Sequence, residues 1–147
     1  MSFDGRTVGQ KRIRGVARAA TRTELGRFLR DGNDARAGVW AARPVGRSGG
    51  VLPALFRALD HRNLQAPPAQ LSVRVIGGAV VEVRARTYAH AVQLDLPAGA
   101  VPSDDYFDLL PGEVRRIAVQ SARPLSGRNV RVRAVNCLPA AASTTRR

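Results

Sequence analysis

The sequence predicts an all-β protein: an immunoglobulin-like antiparallel β-sandwich, preceded by a partial second β-sandwich with one short helix. Two observations indicate this fold class. After residue 66, apolar and polar residues alternate in several short runs, which is typical of half-buried strands. Glycine and proline turn signals separate these runs, and no helical period occurs among them. Cys137 is the only cysteine, so the disulfide of antibody domains is absent and only the architecture is predicted.

Residues 1–65 are predicted to form an incomplete sandwich domain. Thr21 and Glu24 have the spacing of a capping box ahead of an apolar stripe, which predicts a helix over 22–30. The stretches "GVWAARPV" and "VLPALFRAL" predict a pair of strands with Trp40 in the core, and "FDGRTV" and "RIRGVARA" before the helix are two further candidate strands. A unit of about four strands and one helix can bury little surface alone, so this domain is expected to be incomplete.

The linker "NLQAPPA" marks the predicted boundary, and residues 66–137 form the predicted C-terminal immunoglobulin-like domain. Its first two strands alternate on either side of "GGA". A three-residue loop pairs Val75 with Val81 and keeps the apolar residues of both strands on one face. The same register places Arg74 opposite Glu82 on the exposed face, where we expect an ion pair.

Alternation continues in the runs 92–96, 116–119 and 130–134, each of which predicts a strand. The run "DYFDLL" also predicts a strand, with Phe107 and Leu109 on one side and its acids on an exposed rim. Pro111 and Gly112 then predict a type II turn, because proline presets φ and glycine supplies a positive φ. The last residues, 138–147, are small and polar and are predicted to be a disordered tail.

The net charge of +13 raises the possibility of a nucleic-acid partner. The basic residues are spread along the chain without a compact block, and aromatic residues make up only 5% of it. Binders of single strands interleave aromatics for base stacking, so the composition argues against nucleic acid. No apolar run is long enough to span a membrane and the N-terminus lacks a signal segment, so a cytoplasmic protein without a membrane partner is expected.

No cofactor or metal site is predicted. His61, His90 and Cys137 do not have the spacing of metal ligands, and both histidines are expected to be solvated or packed rather than catalytic. A calcium site built from Asp104, Asp105 and Asp108 is conceivable, but the loop spacing of an EF-hand is absent.

The run "SDDYFDLLPGE" supplies a family resemblance. Together with "VEVRARTYAHAVQLDL" and the linker "NLQAPPAQLSVRV", it resembles the C-terminal immunoglobulin-like domain of the β-mannosidases of glycoside hydrolase family 2. That family typically has "SDNYFDLLPGE", so Asp105 stands where asparagine is usual. The preceding "GGVLPALFRALDHRNLQAPP" is similar to the strand and linker that leave the family's penultimate sandwich domain. The motif residues, expected to be structural, are Ser103, Asp104, Asp105, Tyr106, Phe107, Asp108, Leu109, Leu110, Pro111, Gly112 and Glu113.

The resemblance implies a parent reaction, the retaining hydrolysis of terminal β-D-mannose residues by two glutamates on a (β/α)8 barrel. This chain has only Glu24, Glu82 and Glu113, none of which forms a plausible pair, and 147 residues cannot hold such a barrel. We therefore expect no enzyme activity from the chain alone. It would be a non-catalytic accessory part, separated by truncation, a frameshift or a mis-called start, with the catalytic domain of a β-mannosidase as its partner.

One alternative is a free-standing immunoglobulin-like module that binds carbohydrate, such as mannosides, or protein. The aromatic residues that could form a sugar-binding row, Trp40, Tyr88 and Tyr106, are scattered over different predicted strands. This scatter favours the accessory role. A basic nucleic-acid-binding domain is the third hypothesis for the function.

Overall fold

The computed structural model describes residues 1–14, 37–45, 54–60 and 63–137. The helix predicted over 22–30 and the tail predicted at 138–147 lie outside these residues. The chain divides into two compact units, one formed by residues 1–2 and 6–64 and the other by residues 3–5 and 65–147. In the described ranges, no helix is long and apolar enough to cross a membrane.

The first unit contains the predicted strand pair, in a shorter form. Strand β1 (Trp40–Ala42) runs antiparallel to β2 (Ala54–Phe56), and Trp40 lies opposite Phe56. Trp40 is half-buried, so the prediction of a core position was wrong. The Met1 ammonium donates to the carbonyl of Val39, and the Val39 N–H donates back to the carbonyl of Met1, both at 2.9 Å.

The candidate strand "FDGRTV" does not form. Residues 3–5 make a turn in which Gly5 has a φ of 95°, and residues 6–8 are irregular. A positive φ interrupts extended backbone, so alternation alone could not make this segment a strand. Phe3 itself is buried in the second unit, against Tyr88.

The second unit is the predicted antiparallel β-sandwich. Its strands are β3 (Leu71–Ile76), β4 (Val80–Ala85), β5 (Ala89–Asp95), β6 (Val101–Pro102), β7 (Phe107–Leu109), β8 (Val114–Gln120) and β9 (Arg131–Arg133). One sheet has the order β3-β4-β8-β6 and the other β7-β5-β9. The core combines both sheets: Val81, Val83, Ile117 and Val119 from the first, and Val92, Leu94, Phe107 and Leu109 from the second. The all-β, immunoglobulin-like prediction is confirmed.

The β3–β4 hairpin has the predicted register. Residues 77–79 form the loop, and Val75 pairs with Val81. Arg74 lies opposite Glu82 as expected, but the ion pair of Glu82 is formed with Arg116 of β8, at 2.8 Å. Glu82 is paired in register with Arg116 on its other side, so the central strand offered the carboxylate two arginine neighbours and the sequence could not rank them.

The strand predicted in "DYFDLL" is shorter than expected. Strand β7 covers three residues, and Tyr106 before it has a φ of 57°, which is not extended. Leu110 follows the strand and is buried. The predicted turn is present: the Glu113 N–H donates to the carbonyl of Leu110 at 3.0 Å, and Gly112 has a φ of 82°. These values are those of a type II turn.

Candidate functional site

A β-bulge in β5 organises polar residues of the run 103–113. Ala89 pairs with Leu109 and Val92 pairs with Phe107, so two residues of β5, His90 and Ala91, oppose the single residue Asp108 of β7. Ala91 has a φ of 48°. A bulge removes backbone groups from the ladder, and their N–H groups then need other acceptors.

Asp108 supplies one of those acceptors and connects three groups. Its Oδ1 accepts from the Ala91 N–H and from Nδ1–H of His90, each at 2.8 Å, and its Oδ2 accepts from the Tyr88 hydroxyl at 3.0 Å. The Asp108 side chain is only 14% exposed. The ring of Tyr88 is buried and lies parallel to that of His90, with centroids 6.4 Å apart. The carboxylate therefore holds the bulge and the aromatic pair together.

Asn136 supplies the second acceptor. Its Oδ1 accepts from the His90 N–H at 2.9 Å, and its Nδ2 donates to the carbonyls of Tyr88 at 2.8 Å and Pro67 at 3.0 Å. One amide thus joins the end of the sandwich to the bulge and to the entering linker. The sequence analysis did not single out Asn136, whose only signal was a polar residue two positions after the last alternating run, 130–134.

The other acids of the motif also bind within the domain. Asp105 Oδ1 accepts from the N–H groups of Leu94 at 3.0 Å and Tyr106 at 3.1 Å. Asp104 forms an ion pair with Arg115 at 2.6 Å, and the Arg115 guanidinium lies 4.7 Å from the centroid of the Phe107 ring.

Glu113, the last acid of the run, also binds a backbone group within the domain. Glu113 Oε2 accepts from the Leu110 N–H at 2.6 Å and so closes the turn between β7 and β8. The prediction that the acids form a solvent-exposed rim was therefore wrong for Asp105, Asp108 and Glu113, which accept hydrogen bonds from backbone N–H groups. The Asp104 side chain is 38% exposed, as predicted, and pairs with Arg115.

These contacts define what the site can do chemically. Glu82 and Glu113 lie on different elements, and each is engaged within the fold. The hydrogen bond from Arg116 lowers the pKa of Glu82, with the charges of Arg116, Arg74 and Arg84 acting in the same direction. A carboxyl that remains ionised cannot serve as a general acid near neutral pH.

Glu24 and His61 lie outside the described residues. The thiol of Cys137 donates to the carbonyl of Ala69 at 3.5 Å. Across residues 1–14, 37–45, 54–60 and 63–137, no group of three or more His, Cys, Asp or Glu side chains is arranged to hold a metal ion.

Fold and site together define an immunoglobulin-like β-sandwich in which Asp105, Asp108 and Glu113 accept hydrogen bonds from backbone N–H groups. Comparison with known families specifies it further. Residues 64–136 match the family model Ig_mannosidase, an Ig-fold domain. This part of the chain is thus similar to an immunoglobulin-like domain of the mannosidase type, and it includes the bulge, residues 103–113 and Asn136. No curated protein matches the chain.

Proposed function

We propose that the chain is a non-catalytic accessory part of a glycoside hydrolase family 2 β-mannosidase, in which its immunoglobulin-like domain braces the catalytic barrel. The observation that carries the proposal is the match of residues 64–136 to the mannosidase Ig-fold domain. The likeness of residues 103–113 to the "SDNYFDLLPGE" segment of the β-mannosidases supports a β-mannosidase as the parent enzyme.

The polar contacts of the domain support a bracing role. The carboxylates of Asp105, Asp108 and Glu113 accept backbone N–H groups, and Asn136 links the linker carbonyl of Pro67 to the bulge. Hydrogen bonds from side chains to irregular backbone make such segments rigid. A rigid domain tied to its own linker is suited to mechanical support of a larger partner.

A chimera tests the proposal. The corresponding C-terminal region of a family 2 β-mannosidase is replaced by the full 147-residue chain. The matched control carries an unrelated immunoglobulin-like sandwich of similar size. We expect the chain to restore the thermal midpoint and aryl β-mannosidase activity that deletion removes, and the unrelated sandwich to restore neither. Equal rescue by both sandwiches would refute specific bracing.

The chain alone provides a second test. Purified chain should not hydrolyse p-nitrophenyl β-D-mannopyranoside above the rate of a mock purification from the same host. Turnover that follows the protein through every column, and that is lost in a Glu82→Gln or Glu113→Gln variant, would contradict a non-catalytic role.

A further inference from the structure

Tyr106 is the large apolar residue of the run 103–113 whose side chain the fold does not use for packing. Phe107, Leu109 and Leu110 are buried, and Asp105 and Asp108 bind backbone N–H groups. The Tyr106 side chain, by contrast, is 64% exposed. A place in the core therefore does not explain this aromatic residue, and its position needs another reason.

The backbone of Tyr106 is also in an unfavourable conformation. Its φ of 57° lies in the left-handed region, which a bulky L-residue seldom occupies. Asp105 Oδ1 stabilises the bend by accepting hydrogen bonds from the N–H groups of Tyr106 and Leu94. An exposed side chain packs little, so its packing energy offsets little of this backbone strain. Strained residues of this kind concentrate at functional positions.

The ring of Tyr106 is held in place as well. Gln93 Nε2 donates to the Tyr106 hydroxyl at 2.9 Å, so the ring is fixed at both its Cβ and its hydroxyl end. The hydroxyl keeps its own proton to donate, and the other end of the Gln93 amide is open to a ligand. A ring fixed before binding loses little entropy when a ligand stacks on it.

The strands beside Gln93 present further polar groups on the same face. Gln93 is paired in register with Arg133, and Asp95 with Arg131. All four side chains are exposed, and Asp95 Oδ2 lies 3.3 Å from Arg133 Nη2. The face thus combines one fixed aromatic ring with planar amide, guanidinium and carboxylate groups that can donate and accept.

We propose that Tyr106, Gln93 and Arg133 form a binding patch for a neutral oligosaccharide. The Tyr106 ring stacks on the apolar C–H face of a pyranose, and the amide and guanidinium bind its hydroxyls. The choice of a mannoside as the sugar rests on the proposed function.

The composition of the patch favours sugar over two other occupants. A single-stranded nucleic acid needs successive aromatic platforms, and neither β5 nor β9 contains a phenylalanine, tyrosine or tryptophan to continue the row from Tyr106. A protein interface has an apolar centre, whereas the Tyr106 hydroxyl is hydrogen-bonded to the Gln93 amide, and the exposed β5 and β9 side chains beside Gln93 are charged.

Nuclear magnetic resonance titration of the full chain with β-1,4-mannotriose tests the patch. In the wild type we expect shifts at the amides of Gln93 and Tyr106. Tyr106→Asn should weaken binding about tenfold, since the stacking surface is lost. It should also raise the thermal midpoint by a few degrees, because asparagine tolerates the left-handed region. Phe56→Ala removes a similarly exposed aromatic, 63% accessible, and should leave binding unchanged.

Three results would overturn the proposal: no shifts at up to about 10 mM trisaccharide, binding that survives in Tyr106→Asn, or equal loss in Phe56→Ala. The chimera separates this proposal from the proposed function. If the chain stabilises the truncated enzyme but does not bind mannotriose, only the patch is wrong. If Tyr106→Asn abolishes that stabilisation without any sugar binding, Tyr106 contacts protein instead. Binding of mannotriose without rescue of the enzyme would support the patch and refute the bracing role.

Discussion

Replacing Asp108 with alanine should be among the most damaging single changes to the immunoglobulin-like domain. The change removes the acceptor of the Ala91 N–H, of His90 Nδ1–H and of the buried Tyr88 hydroxyl. Each buried group left without a partner costs about 1–3 kcal/mol. Allowing for non-additivity and for water reaching His90, the unfolding free energy should fall by roughly 3–5 kcal/mol, a large part of the 5–15 kcal/mol typical of a domain.

A conservative variant keeps the test measurable if Asp108→Ala fails to fold. Asp108→Asn retains an oxygen for the Ala91 N–H and places an amide nitrogen opposite the Tyr88 hydroxyl, which can accept. Its cost should be about 1 kcal/mol.

The matched control is Asp95→Ala, which removes an exposed carboxylate of β5, the strand that contains the bulge. This carboxylate pairs with Arg133 of β9, and its loss should cost less than about 1 kcal/mol. Urea denaturation followed by far-ultraviolet circular dichroism measures all three variants, and hydrogen exchange at Ala91 reports the bulge. The reasoning is refuted if Asp108→Ala costs no more than Asp95→Ala.

Three further predictions concern single contacts. Asp105→Ala should lower the unfolding free energy in urea by about 1–2 kcal/mol, whereas Asp105→Asn keeps the accepting oxygen and should stay within about 0.5 kcal/mol of wild type; equal costs would contradict this. Gly112→Ala should cost about 1 kcal/mol in the same assay because of its φ of 82°, and Gly127→Ala, with open space and no positive φ, should cost clearly less. The pKa of Glu82 lies below its ordinary value of 4.5, mainly through Arg116, so its contribution to stability is present above pH 4.5 and is lost as the pH falls through the lower folded-state pKa. The thermal midpoint of the wild type should therefore fall more steeply in acid than that of Glu82→Gln, and parallel curves would refute the linkage.

The sheets could be predicted from sequence because a strand's pleat converts alternation directly into faces. The pairing of Val75 with Val81 followed from this rule, since a shift of one residue would have exposed the apolar side. The bulge at His90 and Ala91 could not be predicted in the same way. It depends on Asp108 and Asn136, which lie 18 and 46 residues from His90 along the chain and meet it only across the assembled sheet.

The candidate site was located by the motif, but its roles were misassigned for a physical reason. Acids beside a strand in a basic chain are typical of a solvated edge, because an ionised side chain is costly to bury. That cost is offset here by backbone N–H groups at a bulge and a turn, and neither irregularity has a hydrophobic period. Tyr106 was assigned to an extended strand because it lies in an alternating run. Alternation contains no information about a positive φ.

The distribution of roles within the motif implies that stability and recognition can be separated by mutation. Asp105 acts only as an acceptor of hydrogen bonds from N–H groups in the contacts that it makes, so an amide can replace it. Asparagine, which stands here in the β-mannosidase segment that residues 103–113 resemble, has the same acceptor. Asp104 instead pairs with Arg115, where the charge matters. Tyr106 alone combines exposure with strain, and the carboxylate that holds its strained backbone belongs to the residue directly before it. Loss of Asp105 should therefore lower both the stability of the fold and sugar binding at the patch. Loss of the Tyr106 ring should weaken sugar binding but raise stability, because the backbone strain is reduced.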